Sequence, residues 1–64
     1  MNDRIENGLD VLRREARCAE GRERNWKRHN EIVRRAQQHV EACGGNWLEY
    51  APRFSLEIAN LMRL

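Results

Sequence analysis

From Ile5 to Val40 one line of residues recurs at steps that alternate between four and three. Ile5, Leu9, Leu12, Ala16, Ala19, Glu23, Trp26, Asn30, Val33, Gln37 and Val40 all fall on it. Such a step is the seam of a heptad and lays its members along one side of an α-helix. Half of the seam (Ile5, Leu12, Ala19, Trp26, Val33, Val40) is apolar throughout. The other half begins with Leu9 and Ala16 and turns polar at Glu23, Asn30 and Gln37. Val11, Cys18, Ile32, Ala36 and Cys43 widen the stripe on one side, a width that suits packing against more than one helix.

The opposite side carries Arg13, Arg14, Arg17, Arg24, Lys27, Arg28, Arg34 and Arg35, interleaved with Asp10, Glu20, Glu31 and Glu41. Asp10–Arg14, Glu20–Arg24, Glu23–Lys27 and Glu31–Arg35 are spaced i,i+4 with the acid first, an orientation worth about 0.2–0.5 kcal/mol each in an isolated helix. Asp3 and Glu6 suit the positive end of the helix dipole. These signals predict one long helix over about 3–43. Gly21 is the position that tests it: a helical glycine costs about 1 kcal/mol relative to alanine. The following Arg22-Glu23-Arg24 offers no N-cap, so the reading keeps the helix continuous. A stop at Glu20 would instead give a compact three-helix monomer.

Gly44-Gly45 is the strongest stop signal. Asn46-Trp47-Leu48-Glu49 follows as a capping box. Pro52 must then kink the returning segment or restart it. Phe54, Ile58, Leu61 and Met62 share one face, with Leu56 and Leu64 left over on others. The expected fold is all-α: a single domain over 1–64, with a long helix, a turn at 44–45 and a Pro-interrupted return over 46–64 forming an αα-hairpin. At ~1.5 Å per residue the first helix would reach about 60 Å and the return at most about 28 Å. Half of the stripe would stay uncovered, which predicts a homodimer packed as a helical bundle.

The chain has 64 residues and a formal charge of +2, too slight a bias to identify a nucleic-acid protein. No apolar run approaches the roughly 18 residues that span a bilayer, and residues 47–64 carry too few basic side chains for an interfacial helix. Neither a signal peptide nor a disulfide framework is indicated by Met1-Asn2-Asp3-Arg4 or by the two cysteines, Cys18 and Cys43. The expected compartment is the cytoplasm.

Phosphate loops, nucleophile elbows and paired-acid sites are missing from the sequence, so no enzyme activity and no cofactor are expected. His39 and Cys43 sit i,i+4, yet without the clustered cysteines of a zinc site they predict no metal. Protein recognition is the favoured reading: a small regulator, inhibitor or adaptor that docks a helical, dimeric surface, a role short chains often fill in phages and mobile elements. Trp26 and Val33 would hold the dimer seam. Trp47, Tyr50, Phe54, Ile58 and Met62 would anchor the hairpin or the partner contact. The alternative is a small nucleic-acid-binding regulator that meets phosphates with Arg13, Arg17, Arg24 and Arg28. On the first reading those arginines would steer acidic partners.

Overall fold

The structure, a computed structural model, describes residues 3–18 and 25–64. They form three helices: α1 (Asp3–Arg17), α2 (Trp26–Ala42) and α3 (Trp47–Met62). Each packs against the other two. The radius of gyration is 11.3 Å and the longest axis is 34 Å. A 3–43 rod does not fit in that length, so the predicted two-helix hairpin gives way to a three-helix fold.

The local reason is a cap one residue beyond the stretch where none was found. Asn25 takes an extended backbone (φ −142, ψ 169), and its side-chain oxygen accepts a hydrogen bond from the backbone N–H of Arg28 at 2.9 Å. An Asn cap of this kind stabilises a helix start by about 1 kcal/mol. Gly21 lies outside the described residues, as do the Glu20–Arg24 pair and the Glu23 end of Glu23–Lys27.

With α2 starting afresh, its phase is no longer tied to that of α1. In α1 the expected line is buried: Ile5, Leu9, Leu12 and Ala16. In α2 the buried line is His29, Ile32, Ala36 and Val40. The expected seam residues Trp26 and Asn30 are exposed, and Val33 and Gln37 are half-buried. The stripe that had looked like a flank is the core face. Phe54, Ile58 and Met62 of α3 close the interior. Among the described residues ten apolar side chains are thus buried by a single copy of the chain. Among the described residues of the expected stripe, Ile5, Leu9, Leu12, Ala16, Ile32, Ala36 and Val40 are covered within one copy, while Val11, Trp26 and Asn30 stay exposed.

Both turns of the chain around α3 are hydrogen-bonded stops. At the end of α2, Gly44 has φ +80. Its N–H bonds to Glu41 O at 3.0 Å and that of Gly45 to Val40 O at 2.9 Å, the paired bonds of a Schellman motif. At the end of α3, Arg63 takes the left-handed conformation, and the N–H groups of Arg63 and Leu64 return to Asn60 O and Ala59 O. Asn46 caps α3 as expected, its side chain accepting from Leu48 N at 3.1 Å. Pro52 neither ends nor restarts α3, which continues through it to Met62. Proline removes one N–H, and the carbonyl that loses it belongs to Leu48, on the exposed side of the helix.

Two histidines fasten α2 to its neighbours. Buried His29 donates from Nε2 to the Ser55 carbonyl at 3.0 Å, and its Nδ1 lies 3.0 Å from the Asn30 side-chain amide. Asn30, expected as a seam residue, therefore orients this ring from outside. His39 donates from Nε2 to the Arg4 carbonyl of α1 at 2.9 Å. Its ring lies across Gly8, where a Cβ would overlap it. The mid-helix glycine is thus the seat of the α1–α2 crossing. Gly8→Ala in a His39→Ala background should stabilise the fold by up to about 1 kcal/mol, the ordinary helix gain of alanine. In the wild-type background urea denaturation should show that gain lost or reversed. Equal effects in the two backgrounds would break the link.

Candidate binding surface

The residues chosen from the sequence as anchors separate into three environments. Phe54, Ile58 and Met62 are fully buried and hold the core, so they are not available to a partner. Val33, Trp47 and Tyr50 are partly buried and pack against that core. Trp47 meets Phe54 edge-on, with ring centroids 6.3 Å apart. Trp26 alone is well exposed, at 58%. It stands at the first residue of α2 with its ring edge-on to the buried His29 imidazole, at a centroid distance of 4.9 Å.

The arginine arc separates in a similar way. Arg13 is half-buried between α1 and α3. Its Nη1 reaches Asp10 at 2.6 Å and Glu6 at 3.6 Å, its Nε donates to Glu57 at 2.8 Å, and its Cζ lies 5.6 Å from the centroid of the Phe54 ring. Burial on its own lowers the pKa of this guanidinium. The hydrogen bonds to Glu57 and Asp10 and the charges of Glu57 and Glu6 outweigh it, holding the value above that of ordinary arginine. Arg28 pairs with Glu31 at 3.5 Å. Arg17 is exposed at the end of α1, and Arg24 lies outside the described residues. Partner choice also differs from the i,i+4 expectation: Asp10 takes Arg13, Glu31 takes Arg28, and Arg35 crosses to Glu15 of α1 at 2.8 Å. An exposed pair of this kind adds roughly 0–1 kcal/mol, so these contacts set helix orientation more than stability.

Arg13 also lines a groove of about 490 Å³ between α1 and α3, together with Glu6, Glu49, Tyr50, Arg53 and Glu57. Within it Arg13 pairs with Glu6 and Glu57. His39 and Cys43 meet on α2 with Nε2 3.9 Å from Sγ. The Nε2 proton is already given to the Arg4 carbonyl, so this nitrogen is not placed to take a proton from the thiol. Among the described residues no three His, Cys, Asp or Glu side chains gather as a metal site. No helix among them is long and apolar enough to cross a membrane.

What the sequence reading passed over is the outer side of α3. Leu48 is 78% exposed and Leu56 is 64% exposed, with exposed Pro52 between them at i,i+4 steps. Single surface leucines are ordinary; an aligned set on one helix is not. The available signal was that ten of the sixteen α3 residues are apolar, more than one buried face needs, and that Leu56 fell off the Phe54–Ile58–Met62 line. No protein-family model, curated protein or solved structure matches the chain.

Proposed function

We propose that this chain is a non-enzymatic binding module, a small regulator, inhibitor or adaptor, that docks the outer side of α3 on a protein surface. The observation that carries the reading is the exposed line Leu48–Pro52–Leu56 on a helix whose inner side already supplies the core. Covering each leucine is worth on the order of 1.5–3 kcal/mol, which favours association over solvation. Arg53, Glu49 and Asn60 border the line with hydrogen-bonding groups, the arrangement of an apolar centre and a polar rim. The proposed compartment is the cytosol, where Cys18 and Cys43 remain reduced thiols.

The test is a photo-crosslinking amino acid placed at position 56, at 48, and at the exposed position of Gln38 on α2. Protein adducts from 56 and 48 with none from 38 support the reading. No adduct at all, or equal yield at 38, overturns it.

Of the arginines named for nucleic acid, Arg17 is exposed, Arg24 lies outside the described residues, and Arg13 and Arg28 are engaged by carboxylates of the same chain; exposed Arg14 and Arg34 would join Arg17 on this reading. A titration with DNA and RNA at rising salt decides it: binding that weakens steeply and is lost in Arg14→Ala/Arg17→Ala/Arg34→Ala favours nucleic acid. Absence of binding at low salt eliminates it.

A further inference from the structure

Charge is not spread evenly over this chain. The formal total is +2, yet the groove between α1 and α3 carries the opposite sign. Glu6, Glu49 and Glu57 line it against Arg13 and Arg53. Asp10, bonded to Arg13 at 2.6 Å, makes four carboxylates for two guanidinium groups. Arg13 is already engaged: Asp10, Glu6 and Glu57 all lie within 3.6 Å of its nitrogens. One positive charge is thus shared among three acids, and none of it is left for Glu49. Glu49 and Arg53 are both exposed, and although they are spaced i,i+4 they make no ion pair among the described residues. The groove is continuous with the outer side of α3. Its wall residues Arg53 and Glu57 also line a shallow hollow of about 350 Å³ with Leu56, Asn60 and Leu61. The acidic groove and the exposed leucine therefore belong to one surface.

We infer that the partner of this face is a basic protein segment, one that lays an apolar side chain on Leu56 and directs a neighbouring lysine or arginine into the α1–α3 groove. This inference rests on the reading of α3 as a docking surface and names the chemistry of its partner. Charge complementarity selects the class. An acidic segment would bring like charge to Glu6, Glu49 and Glu57, and such repulsion is how an interface rejects a wrong partner. A cation in the groove instead meets carboxylates from two helices, in surplus over the guanidinium groups already there. The groove, at about 490 Å³, has the volume of a small-ligand pocket, enough to admit one long side chain. Tyr50 lines it as well and supplies an aromatic surface against which a cation or its alkyl stem packs. The sign is the reverse of what the arginine arc led the sequence reading to expect. Arg13, the first member of that arc, is the cation that the groove has already neutralised.

Three fluorescein-labelled peptides of equal length test it. The first carries leucines at helical i,i+3,i+4 spacing with arginines between them. The second has glutamates in place of the arginines, and the third keeps the arginines but has serines in place of the leucines. Fluorescence anisotropy with the full chain at low salt should show the first bound at least about ten-fold more tightly than either of the others. Glu49→Gln and Glu6→Gln should each weaken its binding by about two- to five-fold, the yield of one exposed charge pair. Leu56→Ser should weaken it by about ten-fold or more. Glu41→Gln makes the same change of charge on the outer side of α2 and should leave binding unchanged. All four side chains are exposed, and circular dichroism should show an unchanged helical fold for each variant. An equal loss in Glu41→Gln, or no loss in Glu49→Gln and Glu6→Gln, overturns the inference, because binding then does not use the groove. If the glutamate peptide binds as tightly as the arginine peptide and depends on Leu56, the basic-partner assignment fails and the docking face stands. The same holds if position 56 crosslinks to a second copy of the chain. Absence of binding by the arginine peptide also overturns the assignment, and the docking face then stands or falls with the adducts from position 56.

Discussion

Phe54→Ala is expected to abolish the cooperative thermal transition and most of the helical circular dichroism at 25 °C. Phe54 is 2% exposed and joins three contacts: the core side of α3, the Trp47 ring and the Arg13 guanidinium of α1. Truncating a buried phenylalanine costs about 3–5 kcal/mol, through lost burial and the cavity left behind. A core in a chain of this size rarely supplies more than about 3–5 kcal/mol in total. The loss therefore equals the whole stability. It also removes the platform under Arg13, leaving a half-buried cation with less reason to stay near Glu57. The control is Leu56→Ala on the opposite side of the same helix, which should change stability by no more than about 0.5 kcal/mol. A Phe54→Ala chain that melts near the wild-type temperature would mean that α3 does not close the core.

Gly45→Ala is expected to destabilise by about 1–3 kcal/mol, the usual range for overpacking. That corresponds to about 4–24 °C in melting temperature for a domain of this size. A Cβ at Gly45 would stand 2.6 Å from Ile5 Cδ1 and 2.9 Å from Val40 Cγ1. The turn between α2 and α3 is thus pressed against the first turns of α1, and glycine is required there by contact, not by backbone angle. Ile5→Val removes the Cδ1 methyl, so the double variant should be more stable than the sum of the two single effects predicts. Gly44 offers the contrast. Nothing lies within 4 Å of its Cβ position, but its φ is +80. Gly44→Ala should cost about 1–2 kcal/mol through the left-handed backbone alone and be indifferent to Ile5→Val. If Ile5→Val relieves both glycine variants equally, the distinction between contact and backbone strain is wrong.

The candidate surface was only partly legible. Ten of the sixteen α3 residues are apolar, more than one buried face needs. The sequence could not say which of them turn outward. Phe54, Ile58 and Met62 share a side with Trp47, and that side is the interior. Leu56, set aside because it missed the line, is outward for the same reason. In the arginine arc, i,i+4 spacing named pairs that are available in an isolated helix. Glu15 and Glu57 compete for Arg35 and Arg13 only once helices distant in sequence are brought together.

The sequence by itself determined that the chain is helical, that α1 buries Ile5, Leu9, Leu12 and Ala16, that Gly44-Gly45 ends a helix and that Asn46 begins one. These follow from interactions within a few residues: periodic burial, left-handed glycine and side-chain caps. Only the tertiary structure decided whether the first forty residues are one rod or two helices, and which of two adjacent stripes of α2 faces inward. The heptad step ran through both helices without a slip, so phase alone could not reveal the break. The stripes through Ile32 and through Val33 are both apolar enough to be buried. What chooses between them is the pair of histidine contacts to the Ser55 and Arg4 carbonyls and the fit of Gly8 under an imidazole, which exist only when α2 lies between α1 and α3.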